Sequence, residues 1–125
     1  MSGKRFIVCG GRDYQDREAV FDNLDRLHAK VGIAAIAHGG ATGADTLASM
    51  WAASRGVQCH VYAVPDKDWK KKGAAAGPLR NAYMAADFQP DGVVAFPGGR
   101  GTMSMTEIAK FNGITVWEPV KGAGS

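Results

Sequence analysis

At 125 residues the chain is the size of one domain, long enough to build a single hydrophobic core without disulfide or metal staples. Its hydrophobic fraction of 46% and charged fraction of 22% are ordinary for a globular protein. A net charge of +3 permits an anionic ligand but falls short of the dense basic footprint of a dedicated DNA binder, so nucleic acid is not an expected partner.

No apolar stretch approaches the roughly 20 residues of a membrane span, and no signal-peptide core precedes the first strand. Cys9 and Cys59 belong to no C-x-x-C pair or Cys/His cluster. The expectation is therefore a cytoplasmic protein with reduced thiols, no metal, no cofactor and no membrane partner.

In chain order, Arg5 to Cys9 reads as a first buried strand ending in Gly10-Gly11-Arg12-Asp13. Val20, Leu24, Leu27 and Val31 then recur at helical spacing, with Asp13 or Asp16 as the cap and Gly32 as the stop. Ile33 to Ala37 is a second strand, followed by His38-Gly39-Gly40-Ala41-Thr42-Gly43-Ala44-Asp45 and a helix that Gly56 ends. Val57 to Val64 gives a third strand. Pro65 to Gly73, the one long polar interruption, is expected to be a surface loop, and Gly77-Pro78 to open the next helix. Val93 to Phe96 is the fourth strand. It runs into Pro97-Gly98-Gly99-Arg100-Gly101-Thr102 and a helix closed by Gly113. Ile114 to Trp117 is a short fifth strand. Residues 1–120 read as one domain and 121–125 as a frayed tail.

Strands alternating with helices imply an α/β fold, a doubly wound and mainly parallel five-stranded sheet with helices on both faces. The commonest doubly wound order sets strand one beside strand four at the switch point, where ligands bind outside the strand C-termini. The glycine-rich turns after strands one, two and four would then converge on one place.

The turn Pro97 to Thr102 is the leading phosphate cradle. Its glycines let the backbone approach a ligand, the first helical N–H groups point at it, and Thr102 adds a hydroxyl where a cap is wanted. It lacks the P-loop lysine, and the first turn lacks the full G-x-G-x-x-G spacing, which argues against a Mg-triphosphate hydrolase and ordinary NAD binding. Gly39, Gly40, Thr42 and Gly43 form the adjacent wall. Asp45 either accepts from a ribose hydroxyl or caps its helix. Arg80, next to Asn81, is placed to grip a phosphate. Arg12 and Asp13 either contact ligand or pair with each other. Arg100 adds positive field at the turn. His38 is read as a structural histidine, and Trp69 with Lys70 to Lys72 as a base-stacking flap or a solvated lysine run.

Four of these segments together, Gly10-Gly11-Arg12-Asp13, His38 to Asp45, Ala76-Gly77-Pro78-Leu79-Arg80-Asn81 and Phe96 to Thr102, resemble the SLOG superfamily, closest to its YspA/YpsA-related branch. The resemblance implies a Rossmann-like fold, a nucleotide or nucleotide-derived ligand, and a homodimer or higher homo-oligomer. The superfamily includes LOG phosphoribohydrolases, which release a base from a nucleoside 5′-monophosphate, nucleotide sensors and DNA-processing DprA proteins. LOG enzymes carry Pro-Gly-Gly-x-Gly-Thr-x-x-Glu with a catalytic glutamate, and Met105 stands at that position here. Glu107 is two residues on, rotated by about 200° around the helix. Binding is thus the primary expectation. Hydrolysis is the alternative, with Asp13 or Asp45 stabilising positive charge on the ribose and Arg80 holding the phosphate. A DprA-like DNA-associated module is a third reading.

Overall fold

The computed structural model describes residues 3–120, and the tail expected over 121–125 lies outside them. The elements are β1 (Lys4–Cys9), α1 (Arg17–Val31), β2 (Ile33–His38), α2 (Ala44–Arg55), β3 (Gln58–Val61) and α3 (Asp66–Lys72). A 3-10 turn (Gly73–Ala75) leads to α4 (Ala76–Phe88), β4 (Gly92–Ala95), α5 (Arg100–Phe111) and β5 (Thr115–Trp117). The strands form one five-stranded sheet, all parallel, in the order β3-β2-β1-β4-β5. The fold is α/β and Rossmann-like, with β1 between β2 and β4 where the winding reverses.

Burial on both faces explains why the central strands are continuous apolar runs rather than alternating ones. Ile7, Ala35, Ala37, Val93 and Ala95 pack on Met84, Phe88, Met105 and Ala109 of α4 and α5. Their neighbours Val8, Ile36 and Val94 point the other way, onto Val20, Leu24, Ala48 and Trp51 of α1 and α2. Trp51 is fully buried, and its indole N–H donates to Asp25 Oδ1 at 2.8 Å, a link between α1 and α2.

The helix ends follow the local chemistry. Asp16, rather than Asp13, caps α1 by accepting from Ala19 N–H at 3.0 Å. Gly32 and Gly56 end α1 and α2 at φ 72° and 69°, backbone that glycine adopts at no steric cost. Pro78 falls in the first turn of α4, where a missing N–H is harmless.

Two expectations are corrected. The third strand covers Gln58–Val61 only, shorter than Val57 to Val64. The segment Pro65 to Gly73 is not a loop: it holds α3, with Asp66 and Asp68 in the first turn and Lys70 to Lys72 in the last. That charge order complements the helix dipole at both ends, and it substitutes for the absent apolar periodicity. No helix among the described residues is long and apolar enough to cross a membrane.

Candidate functional site

The C-terminal ends of β1, β2 and β4 open on one cleft of about 830 Å³. The β1–α1 loop contributes Gly10, Gly11, Arg12 and Asp13 to its lining, the β2–α2 loop Gly39, and α2 Asp45. The helix α4 contributes Arg80 and Asn81, and the β4–α5 turn and the start of α5 supply Pro97, Gly98, Gly99, Arg100, Gly101 and Thr102. The loops are pinned to one another: Gly11 N–H donates to Pro97 O at 2.8 Å, and Ala44 N–H to Gly11 O at 3.1 Å. Gly98 is required by that closeness, because a Cβ there would stand 2.7 Å from Gly11 N and collide with the Thr102 hydroxyl.

Three of the expected ligand residues do not line the cleft: Gly40, Thr42 and Gly43. Gly40, at φ 78°, packs on Val61 and Ala63. The Thr42 hydroxyl donates to Arg12 O at 3.1 Å. Gly43, at φ 73°, lies so close to the Gly11 and Arg12 carbonyls that no side chain fits. These residues shape the wall from behind.

The β4–α5 turn is the open element. Helix α5 starts at Arg100 with Gly99 at the cap position and no side-chain cap. Thr102 is therefore inside the first turn, a correction to its expected capping place. Among the described residues, the backbone N–H groups of residues 98–102 donate to no protein acceptor. A run of uncommitted donors at a helix N-terminus favours an anion.

Arg80 faces this turn from α4. Its Nη1 donates to Gly39 O at 2.7 Å and Tyr62 O at 3.0 Å, and its Nε to Asn81 Oδ1 at 2.9 Å. That fixes the guanidinium plane and leaves Nη2 without a protein partner among the described residues. Burial pulls the Arg80 pKa down, against the Asp45 carboxylate, yet arginine remains charged at neutral pH. Asn81, buried, is a strut, its amide lying 3.3 Å from Ser104 Oγ and 3.4 Å from Gly101 O.

Asp45 folds back on its own loop, Oδ2 accepting from Gly39 N–H at 3.2 Å and Ala41 N–H at 3.1 Å. Burial pushes its pKa up, opposed by the Ala41 N–H, Arg80, the Gly39 N–H and Arg12. Arg12 and Asp13, both exposed at the cleft mouth, form no ion pair with each other. His38 has the structural role expected of it. Nδ1 accepts from Gly40 N–H at 2.9 Å, so the neutral ring carries its proton on Nε2 and donates to Ser49 Oγ. Burial, and then Arg80, hold its pKa down to about 4.

Sequence reasoning missed Tyr14, Ala74, Met84 and Ser104, all of which line the cleft. Only tertiary packing brings the last three there. Tyr14 directly follows Gly-Gly-Arg-Asp, which was a usable signal. Its hydroxyl is buried without a protein partner among the described residues. Cys9 also lines the cleft, and burial pushes its thiol up to about 12, so it offers no thiolate nucleophile. Met105 is 1% exposed in the cleft floor, while Glu107 is exposed on the outer face of α5.

A curated relative, "Gene 61 protein" of Mycobacterium phage D29, is 37% identical over 120 residues, covering 90% of this chain and 94% of its own length. The family model described as "YspA, cpYpsA-related SLOG family" matches residues 4–71, which run from β1 into α3. The chain belongs to the YspA, cpYpsA-related SLOG family.

Proposed function

We propose that this protein binds a nucleotide or another phosphoribose-containing small molecule across the strand C-terminal edge and leaves it intact. The observation that carries the reading is the run of uncommitted N–H donors at residues 98–102, on a cleft that Arg80 and Arg12 also line. The phosphate would lie on the first turn of α5, and Arg80 Nη2 is the remaining donor for it or for the ribose. Membership of the SLOG family supports a nucleotide-related ligand.

Cleavage of the N-glycosidic bond is the weaker reading. A LOG-type reaction places a carboxylate at position 105, and the side chain there is a buried thioether. Glu107 points away, and Asp45 already spends one oxygen on two backbone donors. A DNA-associated role has only a net charge of +3 behind it.

The test is a thermal-shift screen of nucleoside monophosphates, ADP-ribose and cyclic nucleotides, with hits incubated and weighed by mass spectrometry. A ligand that binds the native state raises the melting temperature by mass action. The expected result is a shift with the ligand recovered unchanged. Gly99→Asp should weaken that ligand by about 100-fold, because it brings a carboxylate to the donors. Space for the new Cβ is open at Gly99, so the fold should tolerate the change. Free base and ribose 5-phosphate among the products would establish hydrolysis instead.

A further inference from the structure

Helix α3 buries no side chain, whereas α1, α2, α4 and α5 each bury several. Six of its residues, Asp66 to Asp68 and Lys70 to Lys72, are charged, so Trp69 is the one apolar side chain it carries. Trp69 belongs to neither core cluster. Its indole forms part of the cleft wall and is 36% exposed.

Over the face of that ring stands the Arg12 guanidinium, with Cζ 6.0 Å from the ring centroid. Arg12 comes from the loop after β1, lines the same cleft, and has no ion-pair partner among the described residues. An indole and a guanidinium facing each other at the rim of an anion-binding cleft are two halves of a seat for a planar ring. Stacked layers sit about 3.5 Å apart, so a guest between them needs about 7 Å. With Cζ at 6.0 Å from the centroid, the pair is too close to hold such a guest as it stands, and a rotamer change of the exposed Arg12 opens the space.

We infer that Trp69 and Arg12 form the nucleobase seat of the cleft, the base stacking on the indole while the phosphate lies on the first turn of α5. The inference rests on the phosphate-ligand reading above. It adds a consequence which that reading does not contain: the cleft prefers an intact nucleotide to a base-free sugar phosphate. Because every base has a π face, stacking supplies this preference with little regard to base identity. The competing role for Trp69 is purely mechanical, an anchor for α3 whose ring edge lies 3.7 Å from where a Cβ on Gly77 would be.

The experiment measures calorimetric affinities of the four ribonucleoside 5′-monophosphates and of ribose 5-phosphate for wild type, Trp69→Phe and Trp69→Leu. In wild type, at least one monophosphate should bind on the order of tenfold more tightly than ribose 5-phosphate. Trp69→Leu, which keeps bulk but no π face, should erase most of that preference while ribose 5-phosphate stays within about twofold, and Trp69→Phe should keep it. A preference that survives in Trp69→Leu overturns the inference. So does an equal loss for nucleotide and sugar phosphate, which is what an anchor would give. Should Trp69→Leu fail to fold, the emission lost between wild type and Trp69→Phe decides: monophosphates should quench it and ribose 5-phosphate should not, and absence of quenching by any monophosphate overturns the inference. Ribose 5-phosphate bound as tightly as every monophosphate by wild type sinks the base seat alone. No binding of either sinks the phosphate reading as well.

Discussion

The turns after β2 and β4 are built from similar residues, Gly39-Gly40-Ala41-Thr42-Gly43 and Gly98-Gly99-Arg100-Gly101-Thr102, and each feeds a helix. Both helix ends carry the same partial positive charge from aligned peptide dipoles. The first turn has committed most of its donors to the protein, with only the Thr42 and Gly43 N–H groups left over among the described residues. Gly39 and Ala41 N–H groups donate to Asp45, Gly40 N–H to His38, and Ala44 N–H to Gly11 O. A buried carboxylate already sits at its helix end. The second turn has no carboxylate within it, and its N–H groups from 98 to 102 have no protein acceptor among the described residues. Glycine content says that a backbone can approach a ligand closely. Whether it offers anything to that ligand depends on where its donors already go.

The more committed turn, between β2 and α2, should be the more fragile under substitution. Gly43→Ala adds a Cβ against two carbonyls at φ 73°, and should cost about 3 kcal/mol or prevent folding, as read by urea denaturation. A loss under about 0.5 kcal/mol would mean that the turn has room to relax and that the contrast drawn here is too sharp.

A pH titration probes the same turn through His38. Its folded pKa of about 4 lies below the ordinary 6.5, so the folded protein favours the neutral ring. The stabilisation is full above pH 6.5 and is lost as pH falls from there towards 4, by up to about 3 kcal/mol. Asp45, whose pKa is raised by burial, pulls the other way at the acid end. Melting temperatures between pH 7 and 4.5 should therefore fall more steeply in wild type than in His38→Gln. Parallel curves would take His38 out of the account.

The smallest effect sharpens the comparison most directly. Asp45→Asn keeps an acceptor for the loop N–H groups and removes the charge from the end of α2, at a cost of about 1 kcal/mol in stability. With that carboxylate gone, a phosphate ligand should bind a few-fold more tightly, as measured by calorimetry. Weaker binding would instead show that Asp45 contacts the ligand, the ribose-hydroxyl role considered for it from the sequence.

Much of the architecture was legible because it follows from periodicity and glycine placement. Val20, Leu24 and Leu27 mark a helix, Gly32 and Gly56 mark its end and that of the next, and the apolar runs mark buried strands. The convergence of the turns followed from parallel topology together with the commonest doubly wound strand order. Helix α3 was hidden because it buries nothing, so no hydrophobic stripe could announce it, and only its acid-then-lysine order signalled a helix. That Gly40, Thr42 and Gly43 lie off the cleft lining was hidden for a different reason. Their partners, Val61, Ala63 and the carbonyls of Gly11 and Arg12, are distant in the chain. Asp45 could not be resolved between capping and ligand contact for a related reason: its side chain turns back past its own helix onto the preceding loop, a path that the sequence does not encode locally.

The order β3-β2-β1-β4-β5 also bears on how the molecule comes to be folded. Within the first half, each strand pairs with the one that follows it, through a single helical crossover. The pairing of Cys9 with Ala95 spans most of the chain, so its loop-closure entropy must be met before the site has two walls. The cleft therefore exists only once that long-range pairing has formed. A small ligand that touches a few backbone amides there would act as a latch on the whole tertiary structure, tying the stability of the folded chain to ligand concentration.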